Sequence, residues 1–152
     1  MQKLQKDFRE FIELLNSHGV RYMIAGGFAV AFHGFPRNTG DIDFFVETSP
    51  ENAGRLQQIL QEFGMGSLGL TAQDFTQLDV IVQLGYPPYR IDILTSLSGS
   101  TFEEAWASRI ETKIDGLPMV FIGRDVLLKN KAEVGRPKDL ADLSRLTREK
   151  KP

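Results

Sequence analysis

Gly26-Gly27-Phe28-Ala29-Val30-Ala31-Phe32-His33-Gly34-Phe35-Pro36-Arg37-Asn38-Thr39-Gly40-Asp41-Ile42-Asp43-Phe44-Phe45-Val46 is the stretch on which the fold turns. The glycine pair follows Tyr22-Met23-Ile24-Ala25, a short apolar run that reads as a buried strand. It leads into a helical stretch over about 28–34, which must close ahead of Pro36. Asp41 to Val46 then reads as a second strand, with two aspartates in an Asp-x-Asp pattern. Alternate positions along a strand share one face, so Asp41 and Asp43 point the same way. Two carboxylates held side by side repel each other unless a cation or a proton sits between them. Only oxygen ligands are on offer, which favours Mg²⁺ or Mn²⁺ over zinc. The solvent-facing alternative is a costly one, because aspartate is a poor strand former.

Working outward, Leu4, Phe8, Phe11, Ile12 and Leu15 recur at helical spacing, and Gly19 is a natural stop. Ser49-Pro50-Glu51 starts a helix whose apolar stripe is Leu56, Ile59, Leu60 and Phe63. Residues 64–76 are glycine-rich and give no clear element. Leu78 to Leu84 and Arg90 to Leu94 read as strands around a Gly85-Tyr86-Pro87-Pro88 turn. Phe102 to Ala107 reads as a short helix. Ile110 to Ile114 and Met119 to Ile122 flank Asp115-Gly116, a hairpin signal. Val126 to Val134 and Leu140 to Leu146 read as helices joined at Gly135-Arg136-Pro137. This order is α/β (α+β) with a mixed sheet flanked by helices. It is expected to form one domain over 1–152, with the sheet at about 20–122 and C-terminal helices at about 124–149.

Composition sets the outer limits. A hydrophobic content of 41% with 25% charged residues is that of a soluble globular chain long enough to bury a core. Zero cysteines exclude disulfides, thiolate metal sites and a cysteine nucleophile. The polar start Met1-Gln2-Lys3-Leu4 does not read as an export signal, and no apolar run approaches a membrane span. The expected location is therefore the cytoplasm, with no membrane partner. The net charge of −2 hides an asymmetry. Residues 1–123 hold 9 Lys/Arg against 15 Asp/Glu, while residues 124–152 hold 9 against 5. A basic C-terminal segment beside an acidic body can form a phosphate-facing surface.

A third carboxylate would complete a metal site, and Asp92 is the first candidate. In Arg90-Ile91-Asp92-Ile93-Leu94 the isoleucines would face the core and Asp92 would face away. If this strand neighbours Asp41 to Val46, three carboxylates converge on one face. Two ions about 3.5–4 Å apart could then clamp the attacking and leaving oxygens of an in-line displacement. Asp79 competes for the third position and ranks lower because it opens its strand. Gly26 and Gly27 lie between a strand and a helix whose free N–H groups could bind phosphate. Lys129, Lys131, Arg136 and Lys138 could neutralise triphosphate charge, with Lys131 the first choice. His18 and His33 lack ligand spacing and read as structural. Trp106 and most phenylalanines read as core, with Phe35 and Phe45 as candidate stacking surfaces for a nucleobase.

Taken together, these motifs resemble a minimal nucleotidyltransferase of the DNA polymerase beta superfamily. They are similar, more narrowly, to small bacterial nucleotidyltransferase-like proteins related to abortive-infection-type toxins. The matching residues are the strand–Gly26-Gly27–helix unit, Pro36-Arg37-x-Thr39-x-Asp41-Ile42-Asp43, and Pro87-Pro88-Tyr89-Arg90-Ile91-Asp92-Ile93-Leu94-Thr95-Ser96. Lys129-Asn130-Lys131-Ala132 and Gly135-Arg136-Pro137-Lys138-Asp139-Leu140-Ala141-Asp142 match as well. The resemblance implies Asp41, Asp43 and Asp92 as the metal triad, with Asp92 also accepting the proton of the attacking hydroxyl. It implies Gly26, Gly27, Arg37, Thr39, Lys131 and Asp139 as nucleotide-binding residues. The implied reaction passes NMP from an NTP to an acceptor hydroxyl on RNA, a protein or a small molecule, with pyrophosphate leaving. The chain departs from the superfamily's glycine-serine pair, because Gly27 stands where the serine is expected. It also leaves little length for an acceptor-binding domain. Two other readings stand beside the enzyme: a toxin–antitoxin component with an antitoxin or helical partner, and a non-catalytic module that binds a nucleotide or a protein.

Overall fold

The computed structural model describes residues 4–35 and 39–148. Helix α1 (Lys6–Ser17) buries Phe8, Phe11, Ile12 and Leu15, the stripe expected from their spacing. The Gln5 side chain caps its first turn, and Gly19 turns the chain out at φ +67°. Next come β1 (Tyr22–Ala25), α2 (Gly26–Phe32), β2 (Asp41–Val46) and α3 (Pro50–Glu62). Residues 64–80 form no strand, only two short 3₁₀ turns, Gly66–Leu68 and Ala72–Thr76. The chain continues through β3 (Ile81–Tyr86), β4 (Tyr89–Leu94), α4 (Phe102–Ala107), β5 (Ile110–Ile114) and β6 (Leu117–Phe121). It ends in α5 (Arg124–Val134) and α6 (Pro137–Arg148).

The six strands pair in the order β3-β4-β2-β1-β6-β5, a mixed sheet. β2 lies antiparallel to β1 and parallel to β4, which puts it near the centre with a neighbour on each edge. β1 also runs parallel to β6. Alternation along β2 separates two packing layers. Phe44 meets Phe11 of α1 at 5.4 Å and Tyr22 of β1 at 5.7 Å on one face. Phe45 meets Phe102 of α4 at 5.3 Å on the other. Both faces of β2 are therefore covered over its second half, and its first half, with Asp41 and Asp43, is left for other work.

Several expected boundaries move: β4, β6, α5 and α6 each begin one to three residues earlier than their apolar pattern suggests, and three other shifts have local causes. Helix α2 begins at Gly26 itself, because Ala25 already has the extended geometry of a cap residue. β3 begins at Ile81, since Asp79 takes a left-handed φ of +61° that ends an extended run. Gly85 and Tyr86 pair with Arg90 and Tyr89, so the turn is only Pro87-Pro88, joined by a cis bond. The Asp115-Gly116 hairpin forms as its sequence predicts, with both residues at positive φ. Among the described residues no helix is long and apolar enough to cross a membrane.

One buried polar residue that sequence reading passed over ties α3 to the sheet. Asn52, 1% exposed, accepts from the Arg21 backbone N–H at 2.7 Å. Its amide nitrogen donates to the carbonyls of Arg21 at 3.1 Å and Glu47 at 2.8 Å. These backbone groups precede β1 and follow β2, so one side chain fixes where β1 enters the sheet and β2 leaves it. Asn52→Ala strips a partner from three part-buried backbone groups, of which the Arg21 carbonyl keeps the Glu47 N–H, and is expected to cost about 2 kcal/mol. The measurement is a urea titration, with the midpoint falling at unchanged slope; a loss below about 0.5 kcal/mol would show that water replaces the amide.

Candidate active site

Strand register builds the site. In the parallel β2–β4 pair, Asp43 stands directly opposite Asp92 and Asp41 opposite Arg90. In the antiparallel β1–β2 pair, Ala25 stands opposite Asp43, so the Gly26-Gly27 turn begins beside that carboxylate. The expectation that Asp92 joins the Asp-x-Asp strand is met by this adjacency. Asp79 lies beyond the far end of β4, where its N–H is bonded by the Ser96 hydroxyl at 2.9 Å, and takes no part.

The guanidinium of Arg90 joins two of the three carboxylates. Its Nε donates to Asp92 Oδ1 at 2.8 Å, and its Nη2 donates to Asp92 Oδ2 and to Asp41 Oδ2, each at 3.0 Å. Among the described residues none donates a hydrogen bond to Asp43. Burial, and then the neighbouring Asp92 and Asp41 carboxylates, push the Asp43 carboxyl up to about 6, opposed by Arg90 and Lys131. Among the described residues no group of three or more His, Asp or Glu is arranged to hold a metal ion as it stands. Arg90 spans the gap instead. Sequence reading did not single it out, although its position two residues before Asp92 on the same face was the available signal.

Gly26 has to be glycine twice over. Its φ is +63°, and a Cβ there would run into the Asp43 carboxylate. Gly27 is not at a positive φ, and it lines the same cavity. That cavity encloses about 300 Å³ and is walled by polar groups. One side carries Asp41, Asp43, Asp92, Arg90 and Thr39, whose hydroxyl donates to the Asp41 carbonyl at 3.1 Å. The opposite side carries Lys131, Arg136 and Lys138.

This cationic side is itself locked. Lys131 is 4% exposed, and its ammonium lies 3.1 Å from Asp139 and 3.2 Å from Asp142. Arg136, just before α6, closes at 2.6 Å on Asp139 in that helix's first turn. Its hydrogen bonds, against the opposing effect of burial and with help from Lys131, hold the Asp139 carboxyl well below the usual carboxylate range. Lys131 and Asp139, singled out from sequence, are thus in contact; Asp142 completes the set and was not assigned a role. Asp139 acts on the cavity through Lys131 and Arg136, since it does not line it among the described residues.

Other expectations fare differently. Arg37 lies outside the described residues. Lys129 does not line the cavity; its stem packs beside Gly99. Phe45 is 1% exposed and packed on Phe102, which removes it as a stacking surface. Phe35 carries the Arg145 guanidinium 4.8 Å over its ring. Trp106 is half-buried rather than core, stacked on Phe102 with Arg109 4.0 Å over its ring. The histidines are structural as expected: His33 Nε2 meets the Ile122 carbonyl at 2.8 Å, and His18 pairs with Glu62 at 2.9 Å.

No family model matches the sequence, and no curated protein does. Solved structures do match in shape. A Thermotoga maritima protein described as a candidate nucleotidyltransferase superposes with a TM-score of 0.61 at 14% identity, over 94% of this chain and 91% of its own. An antigenic nucleotidyltransferase-like protein from Paracoccidioides brasiliensis superposes with a TM-score of 0.57 at 16% identity, over 94% of this chain and 77% of its own. The chain has the nucleotidyltransferase-like fold.

Proposed function

We propose that this chain is a metal-dependent nucleotidyltransferase that moves NMP from an NTP to an acceptor hydroxyl and releases pyrophosphate. The observation that carries the reading is the β2–β4 register, which gathers Asp41, Asp43 and Asp92 at one end of the sheet beside the Gly26-Gly27 turn. The nucleotidyltransferase-like fold of the solved relatives supports it.

The donor set fits a hard divalent ion. It offers carboxylate oxygens alone, and Asp43 is strained by two like charges that a cation would relieve. Asp41, Asp43 and Asp92 would hold Mg²⁺ or Mn²⁺. When bound, such ions neutralise charge on the transferring phosphoryl group and on the attacking oxygen. The chain's residues divide the remaining work. Asp92 accepts the proton of the acceptor hydroxyl. Gly26 and Gly27 let the triphosphate approach the backbone at the start of α2, where N–H groups lack partners within the helix. Lys131, Arg136 and Lys138 face the phosphates across the cavity, and Thr39 steadies the entry to β2. With Gly27 in the usual serine position, phosphate binding rests on backbone N–H groups and these three cations.

Asp43→Asn is expected to reduce transfer of labelled nucleotide by about a hundredfold or more. The assay supplies each of four α-labelled NTPs with Mg²⁺ or Mn²⁺ and reads incorporation into whole-cell RNA and protein. Undiminished transfer would overturn the reading.

The raised Asp43 carboxyl also predicts a stability signature without metal. An unfolded aspartate titrates near 3.8 and the folded one near 6, so between these values the folded state binds more protons. Stability from this group is therefore present at low pH and lost as pH rises through about 6. His33, whose pKa is lowered chiefly by burial, acts in the opposite sense, so wild type is compared with Asp43→Asn. In EDTA, the stability advantage of Asp43→Asn over wild type should grow between about pH 4 and pH 6 and then level off. A constant difference across that range would contradict the assignment.

A further inference from the structure

We propose that Arg90 is the protein's own counter-ion for the carboxylate cluster, a positioning residue that holds Asp41 and Asp92 in the metal-free state and is displaced from Asp41 when a divalent ion enters. The inference rests on the metal-dependent reading of the site above.

Both oxygens of Asp92 are engaged by the guanidinium, whereas Asp41 gives only one. The Asp92 side chain is 10% exposed and the Asp41 side chain 44%. The single, solvent-facing bond to Asp41 is the one that yields first. A bidentate guanidinium–carboxylate pair at these distances is the stronger attachment, and it keeps Asp92 aimed into the cavity. Two other cations of the cavity are committed elsewhere: Lys131 to Asp139 and Asp142, and Arg136 to Asp139.

The backbone of Arg90 cannot retreat to relieve the clamp. Its N–H donates to the Gly40 carbonyl at 3.0 Å, and Gly40 is packed so tightly on the Pro88 carbonyl that a Cβ there would clash. The ladder pairs of Arg90 with Asp41 and Gly85 hold it from both sides. Only the side chain is free to move. An ion approaching Asp41 and Asp43 must therefore compete with a tethered cation already in place, and the metal alone binds more weakly than three carboxylates would otherwise allow.

The test titrates MnCl₂ alone, without nucleotide, into wild type, Arg90→Gln, Arg90→Lys and Lys129→Gln, following free Mn²⁺ by electron paramagnetic resonance. Arg90→Gln should bind Mn²⁺ about tenfold more tightly, a change of about 1.4 kcal/mol. Arg90→Lys keeps the charge but cannot span two carboxylates, and should also bind more tightly, by a smaller factor. Lys129→Gln removes a charge outside the cavity and should stay within about twofold of wild type. In EDTA, Arg90→Gln should melt several degrees below wild type, with Mn²⁺ restoring the difference. Unchanged Mn²⁺ affinity in both Arg90 variants, or equal tightening in Lys129→Gln, would overturn the proposal. If Asp43→Asn loses transfer while the Arg90 variants bind like wild type, only the role of Arg90 falls. If Asp43→Asn keeps both transfer and wild-type Mn²⁺ affinity, the metal-dependent reading itself falls.

Discussion

Repulsion among Asp41, Asp43 and Asp92 is the constraint to which the rest of the molecule answers. The parallel register of β2 with β4 is what creates it, because that pairing puts Asp43 opposite Asp92 with no residue between them. Strands in the middle of a covered sheet are normally apolar along their length. Here the apolar run is confined to Phe44, Phe45 and Val46 on β2, where α1 and α4 pack on opposite faces. The charged half is left at the strand start, within reach of the Gly26-Gly27 turn and the α5–α6 elbow. The fold tolerates the cluster because a guanidinium spans two members and the third takes a proton more readily than usual.

The opposite wall of the cavity solves the mirror-image problem. Lys131 is buried, and a buried ammonium without partners would lose its charge or destabilise the helix. Asp139 and Asp142 surround it, and Arg136 closes over Asp139 from solvent. Such a network adds little net stability over apolar packing. What it does supply is direction: a side chain with four rotatable bonds is held facing Asp43 across the cavity. Anionic and cationic walls are thus fixed by different elements, the first by strand register and the second by the geometry of a helix pair.

Much of this was legible in the sequence, for reasons that can be named. Strand β2, the Gly26 turn, helix α4 and the Asp115-Gly116 hairpin follow from period, cap and turn chemistry, which are local. Asp92 could be chosen over Asp79 from alternation with two isoleucines, also local. What was not legible depends on contacts between distant segments. Phe45 lies two residues beyond Asp43 on the same face of β2, and only the packing of Phe102, from the distant α4, covers it. Trp106 looks like core by type, and arginine stacking holds it half-exposed. Asn52 and Arg90 carry ordinary surface residue types, and only the pairing of β1, β2 and β4 gives their side chains buried or clustered partners.

A purely structural salt-bridge network is the competing account of the cluster, and its details argue against that account. A network built for stability would match each carboxylate with a donor, since an unmatched buried charge is strongly destabilising. Asp41 and Asp92 are matched, but among the described residues Asp43, whose charged form burial disfavours, receives no hydrogen bond. The neighbouring position could have supplied a side-chain donor, yet Gly26 has φ +63° and no room for a Cβ against Asp43. The strained carboxylate is therefore kept open toward the cavity, on the side where Lys131, Arg136 and Lys138 face it. An arrangement that withholds a fixed partner from a strained carboxyl, while an arginine side chain spans its two neighbours, favours the proposed cation site over a purely structural network.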